Sequence, residues 1–413
     1  MSLLVSLFRN EIMKKKDNKI KAETDFNVFY STGFLAFDFR NGTIVHAKKN
    51  GEDFNYYGVG ITDGSLNTII GRSGCGKTTW VIQSAANIVR PFENSAIFYE
   101  DIEGGIAESR KMKLTGFTSD EMKEKLIHRN VGITAENFYE RIKMIADLKE
   151  EKRVEFEYDT GLYDDKGERI FKLQPTVVIL DSLALLMPGK YSDEDDLSGQ
   201  MAATAAAKTN SAIFKRLIPL IKSANIILFV INHINDNVQI NPYAKSRSQV
   251  QYLSQDETLP GGKAAIYLCN TMIRFVDNTK LKESEGFGIR GNFVDLKLVK
   301  SRTSAVGDDA ITLVFDQDNG YDKELSLLVN LKNEKYVTGA GAYFSLSNKP
   351  DIKFTQKGFK EKLAENEEFR KAFEELCAIY LRNIIEKHNK ETSYTNSLSY
   401  DVTNNIMSLA NVA

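Results

Sequence analysis

Residues Gly71-Arg72-Ser73-Gly74-Cys75-Gly76-Lys77-Thr78 match the pattern G-x-x-x-x-G-K-[ST], between an apolar run at 66–70 and a helical run from 77 toward 90. Strand, loop and helix in that order are what the pattern needs to hold phosphate. Its glycines let the backbone turn tightly, so that successive N–H groups and a helix N-terminus face a β-phosphate. Lys77 then reaches the β- and γ-phosphates, the Thr78 hydroxyl serves a Mg²⁺ ion, and Thr79 follows on the same turn as a further ATP contact. Cys75 reads as a small tolerated residue in this loop rather than as a redox sensor.

A loop of this kind belongs to a mostly parallel α/β sheet, and the rest of the chain agrees. Apolar runs of strand length at 66–70, 96–99, 177–180, 226–231 and 272–275 are separated by helical segments, the pattern of strands covered on both faces. Alternating residues Val294/Leu296/Leu298 and Ile311/Leu313/Phe315 predict an antiparallel extension. Two alternating runs around Asp165-Lys166-Gly167 predict a β-hairpin insertion near 151–174. The 413 residues allow two or three domains at about 150 residues each. We divide them into an N-terminal helix and linker at 1–40, a core at 41–335, and a smaller C-terminal domain and tail at 336–413, with its clearest helix at 369–376. The tail from 390 is rich in Ser, Thr and Asn and reads as disordered. Leu4, Phe8 and Ile12 recur every four residues, which predicts an amphipathic helix that either folds back or docks on a neighbouring subunit.

Composition excludes several classes. Lys and Arg number 54 against 56 Asp and Glu, a net charge of −2, so any nucleic-acid contact must be local. Three cysteines and four histidines are scattered, which writes neither a disulfide framework nor a zinc site. The run at 226–231 falls far short of the roughly 20 apolar residues that span a bilayer. With no signal-peptide pattern, a cytoplasmic protein without membrane contact is expected.

Two further strands carry acids to the edge where open α/β sheets bind ligands. Val177-Val178-Ile179-Leu180-Asp181 delivers Asp181, a candidate Mg²⁺ ligand. Asp101-Ile102-Glu103 ends the 96–99 run, and Glu103 is the choice for the group that orients attacking water; the alternative is a solvated acid cluster of Glu100, Asp101 and Glu103. Asn232-His233 ends a third strand, either as a sensor of a terminal phosphate or as hydrogen-bonded scaffold.

These residues together resemble the RecA/UvsX family of homologous-recombination ATPases, over roughly 32–376. The stretch Ile179-Leu180-Asp181-Ser182-Leu183-Ala184-Leu185-Leu186-Met187-Pro188 is similar to that family's Walker B segment, and Phe98-Tyr99-Glu100-Asp101-Ile102-Glu103-Gly104 to its strand ending in D-x-E. Residues 206–217 resemble the following UvsX helix, and Ile231-Asn232-His233 the phage version of the sensor strand. Gly261-Gly262-Lys263-Ala264 is similar to the Gly-Gly that closes the second DNA-binding loop, and Lys300-Ser301-Arg302-Thr303 to K-S-R-T of UvsX.

The resemblance implies a RecA-like P-loop NTPase core with a mostly parallel sheet, an N-terminal docking helix and a small C-terminal α-rich domain. It implies ATP and Mg²⁺, a filament on single-stranded DNA that pairs with homologous duplex DNA, and loader and single-strand-binding proteins as further partners. ATP would lie between subunits, with His233 at the γ-phosphate and Lys300 and Arg302 reaching the neighbour's site as an arginine finger does. The DNA loops would be about 187–199, with Lys190, and 234–262, with Tyr243, Lys245, Arg247, Tyr252, Gly261 and Gly262. Three departures qualify it: acids 193–196 crowd the first loop, Arg110 stands where an aromatic covers the adenine, and the tail lacks a strongly acidic run. Asp236, Asp256 and Glu257 outnumber the cations of the second loop.

Two other readings share the core fold. A DnaB- or RadA-type helicase is similar at Thr32-Gly33-Phe34-Leu35-Ala36-Phe37-Asp38, although only about 60 residues precede the nucleotide core, too few for a helicase's N-terminal helical domain. A recombination mediator would bind ATP and turn it over little.

Overall fold

The computed structural model describes residues 28–388 apart from 165, 190–198, 237–252, 255, 256, 283–285, 307 and 308. The expected helix at Leu4, Phe8 and Ile12, the tail, and candidate DNA contacts Lys190, Tyr243, Lys245, Arg247 and Tyr252 lie outside the described residues.

The protein is a mixed α/β structure built on a nine-stranded, mostly parallel sheet. Its strands in chain order are β1 (Leu66–Gly71), β2 (Ile97–Asp101), β3 (Leu126–Arg129), β4 (Thr176–Asp181), β5 (Ile226–His233), β6 (Thr271–Leu281), β7 (Gly291–Ser301), β8 (Ala310–Asp316) and β9 (Gly320–Asp322). They lie in the order β9-β8-β7-β6-β1-β5-β4-β2-β3. Pairing is parallel from β6 through β3 and antiparallel from β6 through β9.

The continuous apolar runs have a simple cause. Ile69, Val177, Ile179, Ile227, Phe229 and Ile231 point into one hydrophobic cluster, while Leu66, Ile70, Val178, Leu180, Leu228 and Val230 point into the other. Alternate residues of a strand face opposite sides, so a sheet covered twice is largely apolar on both faces, apart from the buried, hydrogen-bonded Asn67 and Thr68 of β1. Helix α1 (Lys77–Val89) covers the first face, and the second carries α3 (Ala135–Glu151) and α4 (Gly199–Ser223), between which and α1 lies the shorter α2 (Glu108–Thr115) in sequence. Trp80 fixes α1: fully buried, its ring meets Phe34, Phe37, Phe229 and Phe275 at centroid distances of 5.1–6.2 Å. Burying an aromatic of this size stabilises by roughly 4–6 kcal/mol at most.

A short helix, Leu35–Arg40, is held by the buried Asp38 carboxylate, which accepts from Ser31 Oγ (2.6 Å), Thr32 Oγ1 (2.6 Å) and the Thr32 N–H (3.0 Å). Burial pushes this carboxyl up to about 6, against the pull of those donors. Asp38→Ala strands all three and is expected to lower unfolding free energy by about 3 kcal/mol, read by urea titration.

The structure departs from the sequence reading in three places. The insertion is a hairpin of Glu157–Tyr163 with Arg169–Leu173, but residues Arg153–Phe156 are helical and not strand. A second hairpin, Thr43–Lys49 with Glu52–Gly58, precedes β1 and touches the first through the Lys48 N–H and the Asp164 carbonyl (2.8 Å). The C-terminal region opens with three short antiparallel strands, Val337–Ala340, Tyr343–Leu346 and Lys349–Phe354, ahead of its helices. Phe354 packs there against Phe359 and Phe369 at 5.7 and 5.1 Å. Helix α5 (Lys323–Asn333) lies on β8, and α6 (Glu367–His388) packs on α5 and on Leu35–Arg40. Among the described residues, no helix is long and apolar enough to cross a membrane.

Candidate functional site

The 71–78 loop leaves β1 at the carboxyl edge of the parallel strands and enters α1 with no side-chain cap on its N-terminus. The N-cap residue is Gly76, which has no side chain to occupy the helix N-terminus, the end of a helix that favours an anion. Gly74 and Gly76 both lie at φ 79°, where a side chain is strained. At Gly76 a Cβ would also sit 2.4 Å from Tyr321 Oη, and that hydroxyl, on β9, donates to the Cys75 carbonyl at 3.0 Å. Cys75 is buried, its thiol is pushed up by burial, and it donates to the Arg72 carbonyl at 2.9 Å, in line with a packing role.

Lys77 is 4% exposed and folds back over the loop, donating to the carbonyls of Gly71 (3.0 Å) and Arg72 (2.7 Å). Burial pulls its amine below the ordinary lysine range, opposed by the nearby Cys75 and Asp181. Ser73 is exposed at the loop tip, Thr79 is half-buried, and Arg72 points away to Asp236 at 2.7 Å.

Asp181 ends β4 facing α1. The Thr78 hydroxyl donates to its Oδ2 at 2.7 Å and the Tyr99 hydroxyl at 3.2 Å. Its other oxygen, Oδ1, is buried without a hydrogen-bond partner. Burial pushes the carboxyl up to about 6, with Thr78 pulling it down and the Glu103 charge adding to the rise. A buried acceptor lacking a donor, next to a hydroxyl, fits a hard divalent cation that takes oxygen ligands. Thr78 and Asp181 are the residues here that could hold such a cation between them.

Glu103 is brought to the same opening by its backbone. The N–H groups of Ile102 (2.7 Å) and Glu103 (3.3 Å) donate to the Asp181 carbonyl. Its carboxylate lies 2.5 Å from His233 Nε2, and His233 Nδ1 lies 3.4 Å from the Lys77 ammonium. An ammonium only donates, so Nδ1 accepts and the Nε2–H donates to Glu103. Burial alone would raise the Glu103 carboxyl; the His233 hydrogen bond and the Ser182 hydroxyl, helped by the His233 and Lys77 charges, outweigh it and hold the group below the usual carboxylate range. Its side chain is 36% exposed, so it faces the opening as an ionised acceptor.

The solvated acid cluster is overturned. Glu100 and Asp101 are each 1% exposed; Glu100 pairs with Arg141 (2.8 Å) and Arg129 (3.4 Å), and Asp101 accepts from His128 (3.1 Å) and the Gly104 N–H (2.8 Å). Sequence reading missed His128, Arg129, Arg141 and Tyr321, which lie on strands or helices distant in sequence, and gave Tyr99, inside a strand it quoted, no role.

Asn232 is turned the other way from His233. Its Nδ2 donates to the Pro260 carbonyl at 2.8 Å, one residue ahead of Gly261 and Gly262, which have φ 82° and 93°. A Cβ at Gly261 would stand 2.7 Å from Leu183 Cγ, so the segment passes the end of the Asp181 strand too closely for any other residue. The acids counted in the second loop are partly neutralised: Glu257 is bidentate with Arg274 (2.8 and 3.0 Å) and Asp236 pairs with Arg72.

Lys300 and Arg302 lie apart from the loop. Lys300 donates to the carbonyls of Ile266 (2.9 Å) and Tyr267 (2.7 Å), and Arg302 to that of Tyr267 (3.3 Å). Arg110, on α2, donates to the Asp318 carbonyl at 2.5 Å, close to the β9 strand that holds the loop. No protein-family model matches the chain, and no curated protein matches it.

Proposed function

We propose that the chain is an ATP-hydrolysing recombinase of the RecA/UvsX type, built on a P-loop NTPase core, that forms filaments on single-stranded DNA and pairs it with a homologous duplex in the cytoplasm. The observation that carries the reading is the Thr78–Asp181 pair with its open carboxylate oxygen, set beside the Lys77–His233–Glu103 chain. A bound Mg²⁺ would neutralise phosphate charge at Thr78 and Asp181.

The residues supply the remaining work. Lys77, now satisfied by two loop carbonyls, exchanges them for phosphate oxygens. The Glu103 carboxylate orients a water and takes its proton on an oxygen. His233 keeps Glu103 aimed through its Nε2–H. Because Lys77 also touches His233 Nδ1, drawing Lys77 onto phosphate alters the His233–Glu103 contact, and the adjoining Asn232 links that change to Pro260 and the 234–262 segment. Lys245 and Arg247 among Tyr243 and Tyr252 suit backbone neutralisation and base stacking there.

The test is joint-molecule formation between a single strand and a supercoiled duplex with ATP and Mg²⁺. Products are expected with homologous and not with scrambled sequence. DNA-stimulated hydrolysis without products would favour the helicase; turnover no greater than that of Lys77→Ala would favour the mediator.

A further inference from the structure

Glu103 rides on a short loop, 102–107, between β2 and α2. Both ends of that loop meet one imidazole. His128, on the edge strand β3, lies with Nε2 3.1 Å from Asp101 Oδ2 at the start of the loop. Its Nδ1 lies 2.8 Å from the Nζ of Lys111, in α2 past the loop's far end. The ammonium again only donates, so Nδ1 accepts and the Nε2–H donates to Asp101. The second Asp101 oxygen accepts the Gly104 N–H at 2.8 Å, which curls the backbone on either side of Glu103. Asp101 is 1% and Lys111 5% exposed, so water competes little for these bonds. The imidazole also rests against the Tyr99 ring at 5.2 Å, and the Tyr99 hydroxyl is on Asp181.

We propose that His128 is a positioning residue for hydrolysis: a strut from Asp101 to Lys111 that closes the 102–107 loop and thereby fixes where Glu103 stands relative to Asp181. The inference rests on the ATPase reading above and goes past it, since neither His128 nor Lys111 touches the nucleotide loop. Glu103 is held at its carboxylate by His233 and at its backbone by the Asp181 carbonyl, and the strut closes the remainder of the loop from Gly104 to α2, so losing the strut loosens that loop and lets the carboxylate shift. A shift of about 1 Å at a reacting group costs on the order of 10²-fold in rate.

The test is steady-state ATPase of the full chain with single-stranded DNA, for His128→Phe and Lys111→Met, each also made in a Glu103→Gln background. Lys111→Met keeps the imidazole on Asp101 and preserves the test if His128→Phe does not fold. The expected result is a fall in kcat of about 10–100-fold with KM within about twofold, and less than about twofold further loss in the Glu103→Gln background, because the strut acts through Glu103. An equal fall in both backgrounds, or unchanged kcat in a folded variant, overturns the strut alone. Wild-type turnover no greater than that of Lys77→Ala overturns the ATPase reading and the positioning role with it.

Discussion

Glu103→Gln is expected to lower kcat for ATP hydrolysis by about 10²–10⁴-fold while leaving nucleotide affinity within a few-fold. The amide keeps the side chain's shape and can still accept the His233 Nε2–H at Oε1, so the Lys77–His233 contact and the loop survive. What it loses is an oxygen basic enough to take a proton from water. Asp181 does not replace it: its Oδ2 is occupied by Thr78 and Tyr99, and its Oδ1 is buried where a cation fits. Asp101 is closed off by His128 and Gly104. Lys77→Ala should behave differently, losing affinity as well as rate, because on the proposed reading Lys77 would contact phosphate in the ground state too. Single-turnover hydrolysis alongside titration of a fluorescent ATP analogue separates the two patterns. A kcat within about threefold of wild type in Glu103→Gln would remove Glu103 from the base role.

The parts of this site that were legible in sequence are those written locally. The glycine spacing at 71–78 and the apolar run into Asp181 are each contained in one strand and its next turn, and the doubly buried sheet makes such runs unmistakable. Glu103 could be nominated because it follows a strand directly. His128 could not: β3 is four residues, Leu126-Ile127-His128-Arg129, too short for periodicity to register, and its partner Asp101 lies 27 residues earlier. Tyr321 supports the loop from 246 positions beyond Cys75. For the missed hairpin a local signal existed, since Asn50-Gly51 at φ 55° and 84° is the tight-turn pair that joins alternating strands. His233 stood open between sensor and scaffold, and only the geometry sets its ring between a lysine and an acid.

Lys300→Ala and Arg302→Ala should each lower DNA-stimulated kcat by about 10³–10⁵-fold, the scale of losing an arginine finger, although both residues are turned away from their own protomer's loop. Across the sheet Lys300 is level with Met272 and Thr68, whereas Gly71 is level with Phe275, three residues further along β6. At about 3.3 Å per residue that is roughly 10 Å, and both cations are turned onto the carbonyls of Ile266 and Tyr267. Tyr267 is 57% exposed, so this corner is outward-facing. Two different surfaces of one chain can meet between copies only head to tail, the heterologous contact that propagates filaments or closes rings. Mixing makes the arrangement measurable. In an equal mixture of Lys300→Ala and Glu103→Gln chains, random head-to-tail assembly gives about one junction in four with an intact Glu103 facing an intact Lys300. A rate near a quarter of wild type is therefore expected from two nearly inactive proteins. If the mixture stays at the level of either variant alone, Lys300 does not serve a neighbour's site, and its two carbonyl bonds are its whole role.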